Sequence, residues 1–360
     1  MPYLKFTNPD GTSVSVGIGA EEIASLFSWL PAKPDPYLKY DFAHVASHYG
    51  DLDWIEASIG RRRLKVPYTL VHDYRATATS EWGVADVAGG FRFPAQLEPH
   101  RKAMNERFTK EGRLFKGDSL CPRVAAFVLD GGTNPSFRIE RAWYADQVGT
   151  NLTLDYPLPQ PLRIGERDCR SVREWDRQQA VGDALDMPSF TASRLANTIG
   201  VSIGITCRTR DGGLALLRRQ RAKNVAVYAG MWASPFAFAL SIPKDLPDGR
   251  HRLRDLIGFD LGVEFADEVG LELSDFSPPR PVAFCRDVVR GGKPQFFFEM
   301  STDVAFESIA ERLGSKSAEY KSRVELVEAL PDTAAINVAP ELACFVALKA
   351  LEGVGHSGAA

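Results

Sequence analysis

Cysteine is scarce in this sequence, and charge of one sign is not in excess. The five cysteines are far apart and form no CxxC pair; they are Cys121, Cys169, Cys207, Cys285 and Cys344. Their odd number and wide spacing make a disulfide framework and a structural zinc site unexpected and favour a cytoplasmic location. Lysine and arginine number 43 against 46 acidic residues, a formal net charge of −3. We therefore expect no general nucleic-acid-binding surface.

Long apolar runs are also rare. The segment Asn224–Pro243 has twenty residues without a charge, but it contains glycine, serine and proline and alternates small with bulky side chains. That pattern predicts strands and turns, although a spanning helix needs only about 20 apolar residues. The N-terminal residues lack the charged-then-apolar layout of a signal peptide. With 44% hydrophobic and 25% charged residues, the composition indicates a soluble globular protein with no membrane partner.

The order of predicted strands and helices indicates a mixed α/β fold in two parts. We predict an α+β pre-domain over residues 1–160, a connector and helix over 161–195, and a second domain over 196–355. The connector contains the proline-rich segment Pro157–Asp168. In the second domain we expect strands at Thr198–Thr206 and Leu214–Leu217, a long helix at Arg250–Val269, and later helices at Ser322–Ala329 and Glu341–Leu351. This order is typical of a sandwich of a sheet between helices.

Three acidic side chains fall on one face of the predicted helix Arg250–Val269. At about 100° per residue, Glu264, Asp267 and Glu268 lie within one narrow sector of the helix surface. Their mutual repulsion would be removed by a divalent cation. Mg²⁺ is the expected ion, with Mn²⁺ as a substitute, because it prefers carboxylates, waters and phosphate oxygens. The alternative is a solvated acidic helix face.

The segment Glu264–Leu271 resembles the core of the Nudix box. That core has an acidic residue, a hydrophobic residue and an acidic pair before a glycine and an aliphatic residue; here these are Glu264, Phe265, Asp267, Glu268, Gly270 and Leu271. Arg218 and Arg219 stand where Nudix proteins often carry a basic pair. Two positions depart from the pattern: Val263 replaces the usual arginine, and Ser234-Pro235-Phe236-Ala237 replaces the usual Pro-Gly-Gly segment.

A narrower resemblance, over roughly residues 105–355, is to the divergent Nudix branch that hydrolyses UDP-glucose and UDP-galactose. This branch has the same core without the arginine, and its pre-domain carries a Gly-Thr-Asn step, here Gly149-Thr150-Asn151. The resemblance implies a Nudix-type α/β/α sandwich in the C-terminal half, with the α+β pre-domain packed against it.

The same resemblance implies Mg²⁺-dependent hydrolysis of a nucleoside diphosphate derivative, foremost a UDP-sugar, at its diphosphate. Glu264 and Glu268 are the expected catalytic residues, and together with Asp267 they are the expected metal ligands; whether Glu264 is a ligand or the base stays open. The expected substrate contacts are Arg218, Arg219 and Asn151. The alternative is a catalytically inactive Nudix-like binding or regulatory protein for a nucleotide. The oligomeric state is left open.

Two other motifs have simpler interpretations. Ser202 lies in a G-x-S-x-G segment, but a nucleophile elbow needs a helix after the serine, and the strand pattern here continues. We therefore expect a strand residue and no serine hydrolase. His44 and His48, with Asp41, have the spacing of zinc ligands on a helix, but Val45 replaces the glutamate of H-E-x-x-H. We expect a structural histidine pair.

Overall fold

A computed structural model describes most of the chain, in segments. These are residues 3–7, 13–17, 42–50, 52–59, 62–76, 82–113, 119–131, 134–182, 184–208, 214–221, 227–258, 261, 272–306, 308–309, 324–327 and 338–355. Within them the protein is a mixed α/β chain, as the sequence predicts. No helix in these segments combines the length and apolar composition needed to cross a bilayer.

The elements have the following bounds. The strands are β1 (Tyr3–Thr7), β2 (Ser13–Gly17), β3 (Trp54–Ile59), β4 (Arg62–Asp73), β5 (Val84–Gly90), β6 (Leu120–Asp130), β7 (Asn134–Trp143), β8 (Pro157–Ile164), β9 (Arg167–Ser171), β10 (Gly200–Arg208), β11 (Leu214–Gln220), β12 (Trp232–Ala233), β13 (Phe236–Ala239), β14 (Gly249–Arg252), β15 (Arg280–Asp287), β16 (Lys293–Ala305) and β17 (Val324–Val327). The helices are α1 (Phe42–His48), α2 (Glu98–Lys110), α3 (Tyr144–Val148), α4 (Val172–Val181) and α5 (Pro340–Gly355). A further helical segment occupies residues 253–258.

Strand β10 is the centre of the largest sheet. The sheet runs β12-β11-β10-β16-β15-β4-β3, with β13 also beside β10 and β17 beside β11. β10 pairs in parallel with β16 and antiparallel with β11 and β13. Because side chains alternate along a strand, Val201, Ile203 and Ile205 enter the core on one face. Ser202 lies on the other face, where its hydroxyl donates to that of Ser234 at 2.9 Å. It is a buried strand residue, as predicted.

The two faces of this sheet are covered by different elements. One face packs against α5, whose buried side chains include Leu342 and Phe345. The other face shares a core with the four-stranded sheet β14-β5-β7-β6 and with the helical segment 253–258, through Leu253 and Ile257. The large sheet therefore has α5 on one face, and the smaller sheet together with the helical segment 253–258 on the other.

Three element predictions need correction. Residues 250–252 are not helical, because β14 pairs with β5 from Gly249↔Val87 to Arg252↔Val84, and the helix begins only at Leu253. Within the predicted connector, β8 and β9 pair as an antiparallel hairpin. Val324–Val327 is a strand paired with β11, not a helix. In each case pairing with a distant strand or a local hairpin overrides the local pattern.

Sheets join segments from both predicted domains. β4 pairs with β15 in the large sheet, and β5 pairs with β14 in the smaller one. The first hundred residues lie outside the segment that carries the family resemblance. They nevertheless supply strands to both sheets. The exact domain boundaries remain a prediction.

Close packing of α5 against β10 leads to a first prediction. A methyl group at Gly204 would overlap the ring of Phe345. We expect Gly204→Ala to lower the free energy of unfolding by about 1–3 kcal/mol, because overpacking forces side chains and backbone to shift. Gly258→Ala is the matched control: that helical site has open space, so alanine should be neutral or stabilising by up to about 1 kcal/mol. Thermal unfolding measures both; equal losses would contradict this packing.

Candidate functional site

The predicted acidic site lies just beyond the part of the chain that the structure describes. Glu264, Asp267 and Glu268 fall within the undescribed residues 262–271. The helical segment that leads toward them is described: Leu253, Leu256 and Ile257 are buried in the core. Asp255, by contrast, is exposed and forms an ion pair with Arg252 at 2.8 Å.

The two arginines of β11 face different layers. Leu216 belongs to the core under α5 and Leu217 to the core on the opposite face, so alternation places Arg218 on the α5 side and Arg219 on the other. Arg218 is buried, and its guanidinium lies 4.3 Å from the ring centroid of Trp232, within cation–π range. Arg219 is half-buried on the face that the segment 253–258 covers. Arg218 and Arg219 therefore cannot both bind the same substrate group.

Asn151 is a buried link between two segments. Its amide nitrogen donates to Oδ1 of Asn197 at 3.1 Å and to the carbonyl of Arg290 at 2.9 Å. Its Oδ1 accepts from the backbone N–H of Asn197 at 2.8 Å. Next to it, the hydroxyl of Thr150 accepts from the N–H of Ala196 at 3.2 Å. These bonds use both amide hydrogens and the carbonyl oxygen, so in this structure Asn151 joins the Gly-Thr-Asn step to the entry of β10.

A buried charged cluster surrounds Asp287 at the end of β15. Its Oδ2 accepts from Nε of Arg290 at 2.6 Å and from the hydroxyl of Tyr68 at 3.1 Å, and the hydroxyl of Tyr228 lies 3.5 Å away. Oδ1 accepts from the backbone N–H of Arg290 at 3.2 Å. Burial opposes charge on Arg290, but Asp287 and the two tyrosines outweigh it and raise the pKa of the guanidinium. The Arg290 guanidinium is therefore charged.

Lys293 is the unusual member of this cluster. Its side chain is 1% exposed. Burial, assisted by the charge of Arg290, lowers its pKa well below the ordinary value. Nearby, Oε1 of Glu341 accepts from Nη1 of Arg221 at 3.0 Å. The cluster is closed to solvent and organises the fold around the β15–β16 turn.

This cluster could not be recognised from the sequence, because its residues have the pattern of an exposed turn. Asp287, Arg290 and Lys293 flank Gly291 and Gly292. The φ angles of these glycines, 70° and 81°, lie in the left-handed region that glycine favours. Charged residues around two glycines usually indicate solvent exposure. The sequence feature that could have revealed the cluster is the long apolar run in each flanking strand, because two buried strands place the turn between them in the interior.

The buried pair leads to a second prediction. Asp287→Asn should lower the free energy of unfolding by about 3–5 kcal/mol, because it leaves the Arg290 guanidinium buried without its countercharge. The double variant Asp287→Asn/Arg290→Met should recover part of the loss. Asp255→Asn is the control, since its exposed pair should contribute no more than about 1 kcal/mol. Denaturant unfolding measures all three; a double variant less stable than Asp287→Asn would refute the pairing argument.

Comparison with known proteins does not assign this chain to a family. No protein-family profile matches this chain, and no curated protein matches it. Among the solved structures that match is a crystal structure of a Nudix hydrolase from M. smegmatis, RenU, with 15% sequence identity. The match covers 45% of this chain and 88% of that one, at a TM-score of 0.26. A TM-score this low establishes no common fold, so the comparison does not assign the chain to a family.

Proposed function

We propose that this protein is a Nudix-type hydrolase that cleaves the diphosphate of a nucleoside diphosphate derivative, with a UDP-sugar as the first candidate substrate. One observation carries the proposal. The helical segment 253–258, which runs toward the acidic motif in the sequence, packs on the face of the central sheet opposite α5. A mixed sheet between those two helical elements is the arrangement that the sequence resemblance implies, and a Nudix-type α/β/α sandwich is accordingly part of the proposal.

Helical spacing supports a role for the acidic residues. Leu253, Ile257 and Leu261 are all buried. Glu264 follows Leu253 by eleven positions, so a helix continuing at about 100° per residue would bring it within about 20° of Leu253. Asp267 and Glu268 would flank the same direction. Carboxylates turned toward protein need a counterion, and a divalent cation is the simplest one.

The chemistry divides between the cation and the chain. Bound Mg²⁺ would neutralise diphosphate oxygens and developing charge. Glu264, Asp267 and Glu268 would hold it, and Glu264 or Glu268 would accept the proton of the attacking water. One bond forms between the water oxygen and phosphorus, and one bond from phosphorus to the bridging oxygen breaks. A UDP-sugar would give UMP and a sugar 1-phosphate.

The test uses the full chain, Mg²⁺ and a panel of nucleoside diphosphate sugars. We expect release of the nucleoside monophosphate, and we expect Glu268→Gln to lose most turnover with an unchanged circular dichroism spectrum. Mg²⁺ should raise the melting temperature of the wild type, since a ligand at 100 times its Kd stabilises by about 2.7 kcal/mol. Glu268→Gln should gain much less. Glu272→Gln, an exposed acid just past the motif, is the control and should behave as wild type.

Two outcomes would count against this function. Without hydrolysis and without a Mg²⁺-dependent melting shift, the acidic residues are a solvated helix face and the proposal fails. Nucleotide binding without hydrolysis would also reject the enzyme and favour the inactive binding protein.

The two arginines give a separate prediction. Arg219 shares a sheet face with the segment 253–258, whereas Arg218 lies under α5 against Trp232. Arg219→Gln should therefore raise KM for the diphosphate substrate at least about tenfold, the effect of losing one charge-assisted hydrogen bond. Arg218→Gln should act mainly on thermal stability. Steady-state kinetics with melting curves separate the two effects, and the reverse pattern would contradict the assigned faces.

A further inference from the structure

The two histidines of α1 are in direct contact. His44 and His48 are one helical turn apart, and their Nε2 atoms lie 3.3 Å from each other. Their rings are nearly perpendicular, at 80°, with centroids 4.7 Å apart. Both are half-buried. The third residue suspected from the sequence, Asp41, falls outside the described residues.

A carboxylate from a distant segment completes the group. Oδ1 of Asp155, just after the Gly-Thr-Asn step, lies 3.8 Å from Nε2 of His44. The three possible ligand atoms, one from each of His44, His48 and Asp155, all lie within 4.8 Å of one another. Local sequence could not reveal this partner, because 107 positions separate it from His48.

The carboxylate is held in place from behind. Nε and Nη2 of Arg173 donate to Oδ1 and Oδ2 of Asp155 at 2.7 and 2.9 Å. The guanidinium is itself fixed, since it also donates to the carbonyls of Val288 and Val289 at 3.2 and 2.6 Å. Outer hydrogen bonds of this kind orient the ligands of protein metal sites. A carboxylate has about four lone-pair positions, so Oδ1 can serve both Arg173 and an ion.

We propose that His44, His48 and Asp155 form a binding site for one divalent transition-metal ion, with Zn²⁺ as the best-fitting ion and at least one coordination position open. Zinc binds nitrogen and oxygen at about 2.0–2.1 Å, so two ligand atoms at a tetrahedral angle are about 3.3 Å apart. The separation of the two Nε2 atoms matches this value, and the distance from Oδ1 of Asp155 to Nε2 of His44 exceeds it by about 0.5 Å. Two imidazoles and one carboxylate favour zinc over magnesium.

The site shares no residue with the proposed hydrolytic site. Its ligands come from α1 and from Asp155, and none belongs to the acidic motif. A metal bound there can be structural, or it can activate a water at its open position, as three-ligand zinc sites do. The proposal concerns metal binding, which does not depend on hydrolysis by Glu264 or Glu268.

The experiment is a titration of the chelator-treated full chain with Zn²⁺ by calorimetry and with Co²⁺ by visible absorption. We expect one ion per chain at this site, and visible Co²⁺ bands that a hexa-aqua ion does not give. His44→Gln/His48→Gln should abolish the bands and weaken Zn²⁺ binding by more than the roughly 10–100-fold that a change in the outer hydrogen bonds costs. His251→Gln is the matched control and should bind as wild type, because that imidazole bonds only to the carbonyl of Pro247 among the described residues.

A second variant separates this site from the acidic motif. Glu264→Gln/Glu268→Gln should keep the Co²⁺ bands, whatever it does to hydrolysis. Circular dichroism confirms that each variant folds. No Co²⁺ bands with wild type, or bands that persist in His44→Gln/His48→Gln, would overturn the proposal and leave His44, His48 and Asp155 as a hydrogen-bonded group without a metal.

Discussion

The fully buried guanidinium of Arg173 is the interaction on which the arrangement of the chain most depends. From the start of α4 it binds Asp155, the hydroxyl of Tyr49 after α1, and the two carbonyls at the β15–β16 turn. A buried guanidinium is costly unless its donors are satisfied, so these partners must stay together. Burial alone would raise the pKa of Asp155, but the Arg173 charge outweighs it and lowers that pKa. The stabilisation is therefore present at neutral pH and is lost when acid protonates the carboxylate.

The same turn brings a second charged pair into the interior. Asp287 and Arg290 lie beside Val288 and Val289, whose carbonyls bind Arg173. The link through Asn151 also ends on this turn, at the carbonyl of Arg290. Polar contacts from the Gly-Thr-Asn step, α4 and β4 thus converge on one hairpin. These contacts link the first 160 residues to the C-terminal half, in addition to the strand pairs β4–β15 and β5–β14.

The two proposed metal sites differ in ligand chemistry and therefore in preferred ion. Glu264, Asp267 and Glu268 offer only carboxylate oxygens, which suit Mg²⁺ and Mn²⁺. His44 and His48 offer imidazole nitrogens, which suit Zn²⁺. The two sets of ligand atoms therefore favour different ions.

Elements with strong local patterns could be predicted from sequence, and long-range partners could not. The strands β10 and β11, the helix α5 and the strand position of Ser202 all follow from the periodicity of the sequence. The strand at Gly249–Arg252 could not be predicted, because it exists through pairing with β5. For the sites, the acidic motif and the histidine pair are each visible in the sequence as residues at helical spacing. Asp155 and Arg173 are not, since only tertiary folding brings them to α1.

The central claim is that this chain carries an acidic metal site for diphosphate hydrolysis, distinct from the histidine site. Anomalous diffraction from crystals soaked with Mn²⁺ and Zn²⁺, recorded at each metal's absorption edge, tests it most directly. The account predicts a Mn²⁺ peak bounded by Glu264, Asp267 and Glu268, and a separate Zn²⁺ peak bounded by His44, His48 and Asp155. A Mn²⁺ map with no peak at the three acidic residues would contradict the claim.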